Sequence, residues 1–391
     1  VLTQTSSTQQ PYILWGTPHS LFTGKARACL IKRGIPFRER CPSDPRYKQT
    51  VMPEVGLVTF PVLETPDGKF IQDSTDIVDY LETEHQERSM IPPTPVQHIV
   101  ARLLDGFGLQ GLLAAAMHYR WTYRDEQEHF LRTEFGRGLY NGPDRQKRQE
   151  AGARTMSYFS GALPTLGVTP ETISAIEAAY EDLLDALDAH FQIHPYLLGA
   201  LPSIADLGFI APMFAHLGRD PVPASLMKKR APNVFRWVER MNLPTFCDGE
   251  YPETENNWFA DDALPPTLEP VLALVFQDWG PQLQADVAAY EAWLDSTPAR
   301  TAGELVSADG ERRVHASLGM VAYSWRGCNV RRNSAVQGLW LFDKVVQAAD
   351  ALEPGPRARF DALLKDTIGE SVMAFRLKRA IQRQNNVLVL E

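Results

Sequence analysis

Phe60-Pro61-Val62-Leu63-Glu64-Thr65-Pro66-Asp67-Gly68-Lys69-Phe70-Ile71-Gln72-Asp73-Ser74-Thr75-Asp76-Ile77 is the stretch whose reading decides the fold. Two short apolar runs, 61–64 and 69–72, flank Thr65-Pro66-Asp67-Gly68. Proline presets one turn dihedral and glycine accepts positive φ, so the spacing predicts a two-strand hairpin. From Ser74 to about His85 the apolar residues Ile77, Val78, Tyr80 and Leu81 group on one side, which predicts a helix. A proline heading a strand has no N–H to donate. A cis Phe60-Pro61 bond resolves that conflict and leaves the backbone of residue 60 able to pair with a peptide. A trans proline on an edge strand is the other reading, and the sequence leaves the isomer open.

Outward from this stretch, Tyr12-Ile13-Leu14-Trp15 reads as a strand stopped by Gly16-Thr17-Pro18. Thr23 to Arg33 reads as a helix, with Ala26, Cys29 and Leu30 on one face and Lys25, Arg27, Lys32 and Arg33 around it. Gly34 ends it as a C-terminal cap, and Pro36 to Arg40 is extended again. The order is βαβ, a loop, then ββα. Ile91-Pro92-Pro93-Thr94-Pro95 reads as a stiff linker, because proline cannot continue a helix. Beyond it, roughly 96–135, 150–193 and 203–245 read as helical. A break over Tyr251 to Asn257 opens a last stretch with helical periodicity at 268–295, 335–352 and 356–384.

With 391 residues, and ~150 per domain as a guide, two or three domains are expected. A hydrophobic share of 44% and a charged share of 22% are ordinary for a globular protein. A net charge of -9 argues against nucleic acid or an anionic membrane as partner, since phosphate binding needs clustered Lys and Arg. No apolar run is read as approaching the ~20 residues of a membrane span. Val1 to Gln10 is polar and uncharged, unlike a secretory signal, and reads as a disordered lead-in. Cys29, Cys41, Cys247 and Cys328 are too scattered for a disulfide framework or a zinc site, so no metal and a reducing, cytoplasmic setting are expected.

Two helix mouths carry chemistry. Asp73-Ser74 offers a carboxylate for an ammonium, and a hydroxyl with free N–H groups for a carboxylate; the plainer reading of the dipeptide alone is that Ser74 caps its own helix. Ser20 stands before the helix holding Lys25 and Arg27, where its hydroxyl can donate to an anion or simply begin the helix. Pro202-Ser203-Ile204-Ala205-Asp206-Leu207 has the spacing of a capping box, with a structural role.

The order and spacing of these pieces resemble the glutathione transferase family. The resemblance rests on Ser20-Leu21-Phe22-Thr23-Gly24-Lys25-Ala26-Arg27, on Gly34-Ile35-Pro36-Phe37, on Phe60-Pro61-Val62-Leu63 and on Asp73-Ser74-Thr75-Asp76-Ile77, and it is specific over roughly 12–85. It implies an α/β thioredoxin-like N-terminal domain, an all-α C-terminal domain and an additional helical extension like that of a poorly characterised bacterial branch. The boundaries expected are a lead-in 1–10, the glutathione-binding domain 11–88, a linker 89–97, the all-α domain 98–250 and the extension 251–391. It implies Ser20 as the catalytic residue and Ser20, Phe22, Phe60, Pro61, Asp73 and Ser74 as glutathione ligands. Glutathione is then a co-substrate, a small electrophile the second substrate, and a homodimer the default assembly. Lowering a thiol from ~8.5 by ~2 units requires ~2.7 kcal/mol, within reach of one charged hydrogen bond and a helix terminus.

The pattern departs from the family at Gly56-Leu57-Val58-Thr59, where relatives place Lys or Gln for the glycine carboxylate; Arg46 or Lys48 is the substitute considered. In the helix expected to face the sulfur, Met117 to Arg124, the co-substrate candidates are Tyr119, Arg120 and Tyr123. Packing of the domain core explains the same residues equally well. His118 is read as an interdomain histidine. Arg326, Arg331, Arg332, Arg376, Lys378, Arg379 and Arg383 are read as a solvated or interdomain face. Besides transfer to an electrophile, a glutathione-dependent lyase or isomerase and a non-catalytic interaction protein fit the sequence. Glutaredoxin-type disulfide chemistry needs a cysteine where Ser20 and Thr23 stand.

Overall fold

The computed structural model describes residues 10–244, 250–252, 257–297, 299–365 and 367–391. Most of the lead-in, Cys247 and part of the break after Tyr251 lie outside the described residues. The N-terminal part runs β1 (Tyr12–Trp15), α1 (Leu21–Arg33), β2 (Phe37–Arg40), a short helix α2 (Met52–Val55), β3 (Val62–Glu64), β4 (Phe70–Gln72) and α3 (Ser74–Glu84). The sheet order is β2-β1-β3-β4, with β1 parallel to β2 and the other pairings antiparallel. Gly34, at φ 68, closes α1 by turning its N–H back onto Leu30 and Ile31. This is a left-handed cap that an L side chain rarely tolerates.

α1 is not amphipathic in the way its sequence suggests. It lies between the sheet and the C-terminal helices, so Lys25, Arg27, Lys32 and Arg33 are all buried. Each finds a partner: Lys25 on Asp105 at 2.7 Å, Arg27 on Glu39 at 2.6 Å, Lys32 on the Tyr196 hydroxyl at 2.9 Å, and Arg33 on Glu82. The long aliphatic stems of these residues pack, while Lys25 and Lys32 meet acceptors of the helical part and Arg27 and Arg33 meet acceptors within the N-terminal part.

The helical part comprises α4 (Pro95–Gly106), α5 (Leu113–Trp121), α6 (Arg124–Leu139), α7 (Arg145–Ser160), α8 (Ile173–Phe191), α9 (Ile204–Pro212), α10 (Pro221–Arg230) and α11 (Pro232–Met241). Pro164 and Gly167 separate α7 from α8, within a span where the periodicity predicts one long helical region from 150. α4 continues through a wider turn at Phe107–Gly111 into α5, so 95–121 forms 27 helical residues. By length and composition this helix is apolar enough to cross a membrane, contrary to the sequence reading. Most of it is buried inside the molecule, as in a core helix. The capping box forms: Asp206 accepts from the Ser203 N–H at 2.9 Å, and also from Leu197 N–H and the Trp237 indole at 3.0 Å each.

The extension holds α12 (Glu269–Asp295), α13 (Val336–Asp350), α14 (Pro354–Leu364) and the one-turn α15 (Gly369–Val372). It is not purely helical. β5 (Met320–Trp325) pairs with β6 (Cys328–Asn333), and β7 (Ile381–Gln384) with β8 (Val387–Leu390). The helix expected over 356–384 therefore stops early, and its last residues form a strand. The basic side chains of this region are mostly engaged within the protein. Arg326 pairs with Asp278 at 2.6 Å and Asp182 at 2.7 Å, and buried Arg332 donates to Gln282 at 2.7 Å.

Candidate functional site

Sheet register brings the chemically interesting residues together. Trp15 lies opposite Val62, and Val62 opposite Gln72. The loop to Ser20 follows Trp15, Pro61 precedes Val62, and Asp73 follows Gln72, so all three leave the same end of the sheet. Neighbouring strands are ~4.8 Å apart, which puts these exits within about 10 Å of one another.

Ser20 is the N-cap of α1, and its Oγ accepts from the Thr23 N–H at 3.4 Å. Phe22, in the first turn, is half-buried. The Phe60-Pro61 bond is cis and Pro61 is buried. Tyr47 supports this turn: its ring lies 5.1 Å from that of Phe60, and its hydroxyl donates to Thr59 O (3.0 Å) and accepts from Thr59 N–H (3.2 Å). Asp73 sits at φ 84 and caps α3, its Oδ1 accepting from Thr75 N–H at 2.7 Å. Ser74, buried, opens that helix. The arrangement offers the Ser20 and Ser74 hydroxyls and two helix N-termini, whose partial positive charge favours anions. The Asp73 carboxylate beside them suits a cation. Lys25 and Arg27 add no free charge, because Asp105 and Glu39 neutralise them.

The candidates on α5 occupy a different setting. Arg120 is interior: it pairs with Asp220 at 2.6 Å and donates to Ala215 O at 2.5 Å and to His19 O at 2.9 Å. It lines no open cleft; it braces the loop that carries Ser20. Tyr119 is buried, stacked 5.9 Å from Tyr123 and edge-on to Tyr180. Only Tyr123 is half-buried, its hydroxyl donating to Glu177 at 2.5 Å. Successive helix positions turn by about 100°, so a run of aromatic and basic residues is divided between packing surfaces instead of sharing one face. His118 is buried against Glu177 at 3.0 Å, and burial pushes its pKa down. Cys29 is fully buried, and burial pushes its thiol up to about 12, which makes it inert.

Of the proposed substitutes for a glycine-carboxylate ligand, Arg46 is held by Glu64 at 2.7 Å and lies over the Trp15 ring; Lys48 is exposed. Residues that the sequence reading did not place at this site come from the extension. Gln337 donates to the other Asp73 oxygen at 3.1 Å. Arg383 bridges Asp76 (2.8 Å) and Gln72 (2.6 Å) and stands 3.8 Å from Asp73. The His315 ring lies 5.7 Å from that of Phe22, and Asn386 donates to Val55 O at 3.1 Å. A depression of about 730 Å³ lies elsewhere, at the C-terminal half of α3, lined by Asp79, Glu82, Ser89, His98 and Trp258 among others. Several of its polar groups already pair with one another or with arginines, as Ser89 does with Glu82 and His98 with Arg102. Among the described residues no cluster of three or more His, Cys, Asp or Glu could hold a metal.

The chain has no match among the curated proteins. It is similar to a solved glutathione transferase from Phanerochaete chrysosporium, at 16% identity over 61% of this chain and 99% of the other, with a TM-score of 0.42. A glutathione S-transferase from Methylobacterium radiotolerans, in complex with glutathione sulfonate, shares 19% over 66% and 100%, TM-score 0.36. A beta-etherase from Sphingobium shares 18% over 62% and 98%, TM-score 0.37. The family model for the glutathione S-transferase N-terminal domain matches residues 14–89, and that for the C-terminal domain matches residues 170–240. Two segments of this chain thus match the N-terminal and C-terminal domains of the glutathione S-transferase family, in that family's order.

Proposed function

We propose that this chain binds glutathione across the end of its sheet and holds the sulfur as a thiolate for attack on a small electrophile. The observation that carries the reading is the convergence of Ser20, cis-Pro61 and Asp73-Ser74 on one edge, set by the Trp15–Val62–Gln72 register. In this reading the backbone of residue 60 pairs with the cysteinyl unit, and Phe22 borders it. Asp73 and the mouth of α3 receive the ammonium and carboxylate of the γ-glutamyl end. The Ser20 hydroxyl donates to the sulfur. The thiol proton leaves to solvent, the sulfur lone pair forms a bond to carbon, and the leaving group departs with its electron pair. Conjugation and a lyase, isomerase or dehalogenation step share this start. A reducing cytoplasmic setting and a homodimer belong to the same proposal.

Calorimetry tests binding: no heat with millimolar glutathione removes the proposal. Ser20→Ala is expected to leave binding largely intact and raise the pKa of the bound thiol by ~1–2 units, the loss of one charged hydrogen bond. Thiolate absorbance against pH reads this directly.

A second reading, a non-catalytic interaction protein, draws on Gln337, which already engages Asp73, and on His315, which faces Phe22. It predicts bound glutathione with an ordinary thiol pKa in both the parent protein and Ser20→Ala.

A further inference from the structure

Separate parts of the extension meet the thioredoxin-like domain along one line. It begins at α2, where Asn386 donates to Val55 O, passes over Gly56 and Phe22, and ends at Asp73 with Gln337 and Arg383. Arg312 stands on this line at Gly56: one of its guanidinium nitrogens is 3.9 Å from where a side chain at Gly56 would begin. This stretch leads to cis-Pro61 and carries no charge of its own from Gly56 to Phe60.

Arg312 differs from the arginines around it. Arg46 is paired with Glu64, Arg313 with Asp309 and Arg383 with Asp76. Arg312 is exposed, and among the described residues it has no carboxylate partner. Its Nη2 donates to Asn385 O at 2.7 Å. That bond uses one of five N–H donors and anchors the guanidinium to the turn at Asn385-Asn386, which Val55 in turn holds. An anchored, unpaired guanidinium presents a fork suited to a carboxylate.

On the glutathione reading above, we propose that the extension completes the peptide site, with Arg312 holding the carboxylate at the glycine end of the tripeptide. The ligand charge that the loop before Pro61 does not meet is met from more than 250 residues further along the chain.

The test compares glutathione with its glycine monoethyl ester, which keeps the length and removes that one charge, by calorimetry on the full chain. The parent protein is expected to prefer glutathione roughly three- to tenfold, the range of a partly exposed charged contact. Arg312→Ala should abolish the preference and leave ester affinity unchanged; Arg312→Lys should retain part of it. A preference that survives Arg312→Ala assigns the carboxylate to another group, such as Lys48, and overturns the proposal. Equal losses for both ligands also overturn it, since the tail would then only brace the fold. A parent protein that binds neither ligand removes the glutathione reading itself, a result seen before any substitution is made.

Discussion

Asp286 shows how one buried residue sets a measurable pH dependence. It lies in the middle of α12, fully buried, and burial lifts its carboxyl to about 6 against the opposing charge of Arg332. Its acceptors are met by Ala335 N–H at 3.1 Å and the Gln282 amide at 3.3 Å. A carboxyl whose folded pKa is raised binds its proton more tightly in the folded state. Its contribution is therefore full below the unfolded value near 3.8 and is lost as pH rises through about 6. At ~1.36 kcal/mol per unit, the stability of the parent protein relative to Asp286→Asn should fall by up to about 3 kcal/mol between pH 4 and pH 7. Any pH-independent cost of the amide drops out of that difference. Urea unfolding of both proteins across this range measures it. A flat difference would mean that Asp286 is ionised throughout as a partner of Arg332.

At the scale of elements, one tight joint is the crossing of α9 over the wide turn that follows α4. A Cβ at Gly108 would lie 2.3 Å from the Gly208 carbonyl carbon, and one at Gly208 would lie 2.4 Å from the Asp105 Cα. Backbone meets backbone, so no rotamer change relieves an added methyl. Gly108→Ala should cost at least ~1–3 kcal/mol, read as a lower urea midpoint. An unchanged midpoint would show slack between the helices. This joint also sets the spacing of the Lys25–Asp105 pair, and so the seating of α1 on the helical domain. Elements with a local signal were legible in the sequence: the Pro-Asp-Gly hairpin, the Gly34 cap, the Ser203-Asp206 box and the Ser20 and Asp73 helix mouths. The two ribbons of the extension were not, although they carried a turn signature. Arg326-Gly327 and Asn385-Asn386 both have positive φ, the geometry of two-residue hairpin loops. Their strands are short and one in each ribbon bears arginine, Arg331 and Arg332 in β6 and Arg383 in β7, so the charge pattern masked the alternation. The meeting of Arg383 with Asp76, 307 residues apart, had no local signal at all. The aromatic run on α5 left pocket and packing equally open, because composition does not say which face a residue takes.

For the molecule as a whole, the extension belongs to the core. A single cluster of buried apolar residues runs from Tyr12 and Leu14 through Phe107 and Tyr180 to Trp279, Trp340 and Leu390. The Trp279 ring packs 6.4 Å from Phe107 and 6.0 Å from Phe342, and its tip would be 2.9 Å from a Cβ on Gly106. Trp340 is buried on α13, near Arg383 of the last ribbon. Cutting the chain after residue 244 would expose the α4 surface beneath these rings. At ~25 cal/mol per Å² and 150–250 Å² for each buried aromatic, the loss from these side chains alone is several kcal/mol, comparable to the whole stability of a typical domain. The fragment 10–244, though it spans both family domains, should therefore aggregate or bind a hydrophobic dye, whereas the full chain unfolds in one cooperative urea transition. A monomeric fragment with native near-ultraviolet circular dichroism would make the extension an appendage. Its contacts with Asp73 and Gly56 would then not be needed for the fold to stand, and the fragment, which lacks Arg312, should bind glutathione and its ester equally.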